Sequence, residues 1–273
     1  MIKIEHVSFA YPNDTDGGLK DINLTIGSGE CVLLCGRSGC GKTTITRLIN
    51  GLIPSYFSGE LHGIVDVDGM DVFQTPMYQI AACVGSVFQN PRTQFFNMDT
   101  DSEIAFGIEN AALPPEELQQ RVEKTADDLK ICDLRDRNIF ELSGGEKQKI
   151  AFASVYAMNP EVYLLDEPSL NLDMASIEAL RKLLLLIKRK GKTILIAEHR
   201  IYYLMDLIDR VVYLSHGEIA KIYTPQAFRS IPEGIRKAMG LRTIDLEEIH
   251  PPKRSKISKP ICLEFKDVTL RYK

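Results

Sequence analysis

The sequence predicts an α/β protein, and three observations support this class. Apolar runs of strand length, at residues 31–35 and 161–165, alternate with helical patterns such as residues 175–190. Polar residues follow these apolar runs directly, at the position where α/β sheets place ligands. The first run leads through a glycine-rich segment into a helical pattern, which makes a strand–loop–helix unit.

The opening of the chain is rich in predicted strands. Residues 2–9 alternate in polarity, residues 21–26 and 30–34 read as further strands, and residues 59–71 contain a hairpin. These strands indicate a small sheet ahead of the glycine-rich segment. Tyr11 ends the first strand and has two interpretations, an aromatic that packs on the sheet edge or a ring that stacks on an adenine base.

The glycine-rich segment lies between residues 31–35 and the helical pattern at 44–52 and fits G-x-x-x-x-G-K-[ST]. Its glycines let backbone amides turn toward an anion, and the following helix presents its positive end. Lys42 can reach the β- and γ-phosphates of a nucleotide, and the Thr43 hydroxyl can bind Mg²⁺. The residues expected to contact the nucleotide are Gly36, Arg37, Ser38, Gly39, Cys40, Gly41, Lys42, Thr43 and Thr44.

Cys40 is expected to be reactive, because a helix N-terminus and Lys42 both lower a thiol pKa. Alkylation of Cys40 should then block nucleotide binding, and nucleotide should protect the thiol. The six cysteines include no C-x-x-C pair, so neither zinc nor a disulfide framework is indicated. Most of the others are read as small core residues.

The middle third of the chain is predicted to be helix-rich. An apolar strand at residues 82–88 ends at Gln89, and helical patterns follow at residues 99–112 and 115–132. Gln89 stands beside a proline-containing turn, so it either caps that turn or belongs to a site at the strand end.

A second helix start, Ser143-Gly144-Gly145-Glu146, leads into the helical pattern at residues 147–158. Ser143 and Glu146 have the spacing of a capping box. The two glycines inside it expose helix-end amides to an approaching anion. The sequence therefore predicts a second phosphate-seeking helix start.

Two acidic residues end the apolar strand at 161–165. Such a pair is costly beside a buried strand unless it acts on a cation or on water. Asp166 is expected to serve Mg²⁺, and Glu167 to act as a base that orients and polarises the attacking water. His199 follows the next apolar strand, at residues 193–197, and is expected at the same sheet edge.

Composition narrows the functional classes. The 273 residues carry 33 basic and 37 acidic side chains, a net charge of −4, which gives no basic footprint for nucleic acid. The longest apolar stretch, residues 183–187, is too short to span a bilayer and is predicted to be core helix. The N-terminus lacks the pattern of a signal peptide, so we expect a cytoplasmic protein.

The order of these motifs along the chain resembles that of the ATP-binding cassette (ABC) ATPases. The motifs are the glycine-rich loop, Gln89, the Ser143 helix start, Asp166-Glu167, Asp173 and His199. The resemblance covers residues 1–225 and implies a RecA-like P-loop core, an antiparallel β subdomain and an inserted α-helical subdomain at about residues 92–158. It also implies ATP and Mg²⁺ as cofactors. Two cassettes would enclose two ATP molecules, with the phosphate loop of one facing Ser143 and Gly145 of the other.

The functional residues of the family carry over position by position. Gln89, Glu167 and His199 are implied as catalytic, while Thr43, Gln89 and Asp166 are implied at the metal. Ser143, Gly144, Gly145 and Glu146 would bind the nucleotide of the partner cassette, Tyr11 would stack on adenine, and Asp173 would face the partner across the dimer. Glu146 stands where glutamine is commoner, so we expect like charge to weaken ATP affinity and Glu146→Gln to tighten ATP-driven dimerisation.

A narrower resemblance, to the energy-coupling-factor (ECF) branch of vitamin, cobalt and nickel importers, rests on residues 48–54, 88–94 and 198–200. It implies a transmembrane coupling protein and a substrate-binding membrane subunit as partners, with the chain peripheral on the inner face of the cell membrane. Phe95 and Phe96 either line a groove for the membrane partner or belong to the helical core.

The C-terminal end resembles the beginning of the chain. Residues 263–272 align with residues 2–11, which predicts that residues 257–273 start a second cassette and that this is the N-terminal half of a tandem protein. Residues 226–256 are then a helical tail and linker. A tandem ATPase acting on ribosomes stays an alternative, although it is expected to have a long basic linker, while a DNA-repair ATPase and a simple kinase fit less well.

Overall fold

The computed structural model describes residues 1–12, 18–110, 113–170, 172–246, 264 and 266–269. Of the predicted helical tail and linker at 226–256, residues 226–246 are described, and of the predicted second-cassette strand at 257–273 only residues 264 and 266–269 are. The strands are β1 (Ile2–Ala10), β2 (Leu19–Ile26), β3 (Cys31–Gly36), β4 (Glu60–Val67), β5 (Met70–Asp71), β6 (Val84–Val87), β7 (Val162–Asp166), β8 (Thr193–Ala197), β9 (Arg210–Ser215) and β10 (Glu218–Tyr223). The helices are α1 (Lys42–Ile49), α2 (Leu52–Ser55), α3 (Met77–Cys83), α4 (Thr100–Glu109), α5 (Pro115–Leu129), α6 (Gly144–Met158), α7 (Met174–Arg189), α8 (Pro225–Arg229) and α9 (Glu233–Ala238).

The strands form two sheets. The first is antiparallel with the order β2-β1-β4-β5, and it confirms the predicted small sheet at the front of the chain. The second has the order β10-β9-β3-β8-β7-β6 and is parallel except for the pairing of β10 with β9. The α/β class is thus confirmed, with β3 in the interior of the larger sheet.

The buried strand β3 connects the two hydrophobic cores. Cys31, Leu33 and Cys35 face the core that holds most of α4 to α7, whereas Val32 and Leu34 face the core shared with α1 and the antiparallel sheet. A strand buried on both faces is apolar throughout, which is the pattern that its sequence shows.

Three helices, α4, α5 and α6, pack on one another within the range predicted for the helical subdomain. Two boundaries in this region differ from the sequence predictions. The strand predicted at 82–88 begins only at Val84, because the preceding residues complete α3, which starts after Pro76. The helix predicted to reach residue 132 ends at Leu129, because Lys130 adopts a left-handed conformation with φ 54°.

The apolar stretch at residues 183–187 lies on α7 and packs Leu184 and Ile187 into the core, as predicted. The helix begins at the cap residue Asp173, whose carboxylate accepts a hydrogen bond from the Ser176 amide at 2.8 Å. No helix in the described part of the chain is long and apolar enough to cross a bilayer.

Candidate functional site

The predicted site residues of the core meet at one edge of the larger sheet. The parallel strands β3, β6, β7 and β8 end there. Gly36 and Asp166 are the last residues of β3 and β7, and Gln89, Glu167 and His199 lie one or two residues beyond the ends of β6, β7 and β8. This edge is where ligands bind in open α/β sheets, because loops and helix N-termini converge on it.

The glycine-rich loop has the backbone of an anion cradle. Gly36 and Gly41 have φ of +149° and +105°, and a Cβ atom would lie 2.3 Å from the Leu214 carbonyl oxygen at the first and 2.5 Å from Leu19 at the second. No side chain caps α1, so its first amides are available to a ligand. The Lys42 side chain is 5% exposed and donates to the carbonyls of Gly36 and Arg37 at 3.2 and 3.1 Å.

The remaining loop residues differ in what they can offer a nucleotide. Ser38 and Gly39 are exposed at the tip, and Thr44 is buried in the first turn of α1. The Arg37 guanidinium donates to the Ala238 carbonyl oxygen at 2.8 Å, so the side chain points to the C-terminal tail. Contact between Arg37 and a phosphate would therefore use the backbone amide.

The Cys40 prediction is wrong in its expected pKa. The thiol is 5% exposed and lies under the loop, where a Cβ at Gly36 would approach its sulfur to 2.7 Å. Burial raises the pKa of Cys40 and outweighs the opposing effect of the Lys42 charge. The sequence showed the two neighbours that lower the pKa but not the burial that raises it.

Tyr11 lies beside the cradle on the β1 side. Its ring packs edge-on against Phe9 with centroids 4.7 Å apart, and its hydroxyl lies 3.3 Å from Thr44 Oγ1 and accepts a bond from Arg47 at 3.0 Å. These contacts match the sheet-edge interpretation of Tyr11. Stacking on adenine stays a prediction.

The residues predicted to bind the metal, Thr43, Gln89 and Asp166, line one pocket in the structure. Thr43 Oγ1 donates to Asp166 Oδ1 at 3.2 Å, and Gln89 lies across the site, where its amide nitrogen is 3.2 Å from Glu167 Oε2. Hydroxyl, carboxylate and amide oxygens are ligands that Mg²⁺ prefers, so this donor set fits the ion. Burial, followed by the Glu167 charge, raises the pKa of Asp166, and a bound cation would favour the charged form.

Glu167 and His199 face each other across the ends of β7 and β8. His199 Nε2 lies 3.2 Å from Glu167 Oε1, and each side chain is 16% exposed. Glu167 has a left-handed backbone, φ 46°, and its amide donates to the Ala197 carbonyl oxygen at 2.8 Å. Burial and then the charge of Lys42 lower the pKa of His199. The contact brings a candidate base and its neighbour together at the sheet edge, and His199 Nε2 has no hydrogen-bond partner among the described residues.

The Ser143 helix start forms the predicted capping box. Ser143 Oγ accepts from the Glu146 amide at 3.3 Å, and the Glu146 carboxylate accepts from the Ser143 amide at 2.7 Å. Ser143 and Gly144 are exposed, while Gly145 packs on Ser176 of α7. Arg137 lies 3.2 Å from Glu146, a pairing that the sequence did not indicate.

Among the described residues, the hydrogen bonds of this helix start stay within its own turn or go to Arg137. They do not join Ser143 to the glycine-rich loop of the same chain. The exposed Ser143 and Gly144 are therefore available to a neighbouring molecule.

Sequence reasoning missed two charged residues that flank His199. Glu198 is 2% exposed and Arg200 is half-buried, and both bond to the loop after β7. The available signal was the same one that indicated Asp166 and Glu167, since charged side chains directly follow a fully apolar strand.

A groove of about 320 Å³ lies beside the site on the helical side. Phe96 is 74% exposed, stacks on Phe106 at 4.7 Å and lines this groove together with Met77 and Phe88. Phe95 instead packs against the main core. Phe95 thus matches the core interpretation, whereas Phe96 lines a groove whose use by a membrane partner stays a prediction.

The fold and the sheet-edge cluster define a P-loop ATPase whose second glycine-containing helix start, at Ser143, makes no hydrogen bond to its own cradle among the described residues. A sequence profile described as ABC transporter matches residues 19–170, and the chain belongs to the ABC transporter family. It is an ATP-hydrolysing cassette that binds ATP with Mg²⁺.

Known proteins resemble this chain in sequence and in fold. A Treponema denticola protein named "Putative ABC transporter ATP-binding protein" is 51% identical over 99% of this chain and 57% of its own length. CbiO1 from Clostridium perfringens, described as part of the ABC transporter complex cbiONQ, has a TM-score of 0.75, 30% identity and coverage of 87% of this chain and 93% of its own. The ATP-binding cassette MJ0796, solved as a dimer with ADP and Pi, has a TM-score of 0.73, 25% identity and coverage of 82% and 99%.

The chain spans about half the length of the first curated relatives that it matches, at 57% and 50% of two Treponema denticola proteins. The activity, substrates and partners of the whole protein are therefore matters for proposal.

Proposed function

We propose that this chain is the ATP-hydrolysing subunit of a membrane importer of the ECF type, which takes up a vitamin or a metal ion such as cobalt or nickel. The observation that carries the proposal is the cluster of Lys42, Thr43, Asp166, Glu167 and His199 at one sheet edge. The ECF assignment has support from CbiO1, which is described as part of cbiONQ, and from the sequence resemblance given above.

The catalytic step is assigned to side chains of the chain itself. Glu167 orients the attacking water and accepts its proton, while His199 holds the Glu167 carboxylate and faces the terminal phosphate. Lys42 and the first amides of α1 bind the β- and γ-phosphates. Thr43, Asp166 and Gln89 would hold Mg²⁺, which supplies positive charge that offsets the charge on the phosphates.

A second cassette completes the site. Ser143 and Gly145 of the partner would approach the γ-phosphate that the glycine-rich loop binds, and Asp173 would lie at the contact between the cassettes. The outward-facing helix start and the dimeric MJ0796 structure support this arrangement. The length of the first curated relatives supports a tandem protein in which both cassettes share one chain.

The groove at Phe96 is the proposed contact for a helix of the membrane partner. Phe88 lines this groove, and the next residue, Gln89, bonds to Glu167. A helix that moves in the groove would therefore act on the site through the end of β6. Under this proposal the chain is a peripheral subunit at the inner face of the membrane.

The test is isolation of the protein from its native membrane in mild detergent, followed by identification of the proteins that co-purify. We expect a small polytopic coupling protein and a substrate-binding membrane subunit. Phe96→Asp should lose both, whereas Ile235→Asp, at an exposed apolar position on α9, should retain them. Recovery of ribosomes without a membrane protein would contradict the importer function.

A further inference from the structure

The carboxylate of Glu198 connects two loops of the site. Its Oε1 accepts bonds from the amides of His199 and Arg200 at 2.7 and 2.9 Å. Its Oε2 accepts from the Ser169 amide at 3.2 Å and from the Tyr203 hydroxyl at 3.0 Å. One oxygen thus shapes the turn that carries His199, and the other binds the loop that follows Glu167.

Arg200 makes the reciprocal connection. Its guanidinium donates to the carbonyl oxygens of Ser169 at 3.2 Å, Leu172 at 3.0 Å and Leu170 at 3.4 Å. The acceptors belong to the short loop between β7 and α7, of which residues 167–170 and 172–173 are described. Arg200 therefore binds carbonyl oxygens of the loop between β7 and α7, and Glu198 binds the Ser169 amide of the same loop.

The hydrogen bonds of Glu198 and Arg200 do more than end strand β8, because they join two loops. Burying a carboxylate costs several kcal/mol unless its acceptors are satisfied, and an apolar side chain would end β8 without that cost. Four hydrogen-bond donors satisfy the Glu198 carboxylate. One of them, the Ser169 amide, lies in the loop that contains Glu167, and the other three lie in the segment that contains His199. The cluster links the position of His199 to the start of α7 at Asp173.

We propose that Glu198 and Arg200 are positioning residues that hold His199 in register with the loop leading to Asp173. This inference rests on the roles proposed above for Glu167, His199 and the second cassette. When the loop docks on the partner cassette, Glu198 and Arg200 carry its position to the His199–Glu167 pair. They act on the rate of hydrolysis, because neither side chain is assigned a contact with ATP.

The test compares steady-state ATP turnover of Arg200→Met, Glu198→Gln and their double variant, with each melting temperature measured. We expect kcat to fall about 10- to 100-fold, in keeping with the cost of a misplacement of about 1 Å, while KM for ATP stays within about twofold. A glutamine has only one acceptor oxygen. With that oxygen kept on the His199 and Arg200 amides, the NH2 group takes the place of Oε2 and the Ser169 amide loses its acceptor. The double variant should cost about as much as either single variant, since the two residues act as one unit.

Two further variants keep the result interpretable. Arg200→Lys keeps a charged donor and should retain more kcat than Arg200→Met. Arg229→Met is the matched control, because Arg229 also donates to a backbone carbonyl, that of Met205 at 3.0 Å, and to Asp206 at 2.7 Å, but makes neither bond to the loop between β7 and α7. Its kcat should equal that of the unchanged protein.

Hydrogen exchange gives a readout apart from activity. The Ser169 amide should exchange faster in Glu198→Gln, since its acceptor is lost. Three results would each overturn the inference. They are an unchanged kcat in a folded Arg200→Met variant, an equal loss of kcat in Arg229→Met, and unchanged exchange of the Ser169 amide in Glu198→Gln. If Glu167→Gln retains full turnover, the proposed catalytic site is what has failed.

Discussion

At the residue scale, the acidic side chains of the site differ through their surroundings. Asp166 lies buried with the Thr43 hydroxyl on one oxygen, and its pKa is raised by burial. Glu167, one residue later, lies between Gln89 and His199 near solvent. Glu198 is the most buried of the three and is satisfied by neutral donors. The surroundings therefore suit Asp166 to a metal ion, Glu167 to water and Glu198 to a fixed structural link.

Cys40 should react slowly with alkylating reagents at neutral pH. Burial limits access to its sulfur and raises its pKa, so little thiolate is present. Peptide mass spectrometry after timed labelling with iodoacetamide should show Cys40 modified well after the exposed Cys132. Labelling of Cys40 as fast as Cys132 would contradict this prediction.

The charge of Glu146 should matter less to ATP than its position suggests, because Arg137 lies beside it. An exposed pair of this kind is worth about 0.2–1 kcal/mol, so Glu146→Gln should change the half-saturating ATP concentration less than about fivefold. Arg137→Gln leaves the Glu146 carboxylate without its cationic partner and should raise the half-saturating ATP concentration. This increase should be larger than the change that Glu146→Gln produces. The opposite order, measured by ATP titration of turnover, would contradict the role of Arg137.

At the scale of elements, helix starts carry much of the chemistry. The α1 start has no side-chain cap, whereas α4, α6 and α7 are capped by Asp99, Ser143 and Asp173. A side-chain cap accepts from one of the first amides of a helix and leaves the others free, whereas an uncapped start leaves all of its first amides for an anion. The α1 start is therefore suited to phosphate.

Stability should fall in acid partly through the α4 cap. The hydrogen bond from the Ser102 amide lowers the pKa of Asp99 in the folded protein. The contribution of ionised Asp99 to the free energy of unfolding is therefore complete above the unfolded pKa of about 3.9, and it is lost as pH falls through the lower folded pKa. Asp99→Asn keeps a capping side chain that does not titrate. Urea unfolding should give similar midpoints at pH near 7 and a smaller acid-induced loss in the variant; an equal loss would refute this contribution.

At the scale of the whole molecule, the larger sheet joins the site to the rest of the chain. The larger sheet, with β3 in its interior, contributes residues to both cores, and the segment after β6 reaches both the groove at Phe88 and the site at Gln89. The C-terminal tail also reaches the glycine-rich loop through the bond from Arg37 to Ala238. Changes in the groove or in the tail therefore have short structural routes to the nucleotide.

The elements next to local sequence signals could be predicted well. The strand–loop–helix unit, the capping box at Ser143 and the strand at Thr193–Ala197 all follow from patterns within a few residues. What sequence reasoning missed depends on contacts between distant segments. The burial of Cys40, the Arg137–Glu146 pair and the bonds of Glu198 to Ser169 arise only when the chain folds. A turn such as that at Lys130 also escaped prediction, because the left-handed conformation of a lysine has no sequence signal.

The measurement that tests the central claim most directly is phosphate release by Glu167→Gln compared with the unchanged protein, together with an ATP-binding titration of both. Removing a positioned base should lower turnover by about 10²- to 10⁴-fold, while ATP affinity stays within about threefold because the phosphate contacts are assigned to Lys42 and the α1 amides. Turnover equal to that of the unchanged protein would contradict the assignment of the sheet-edge site as the place of ATP hydrolysis by Glu167.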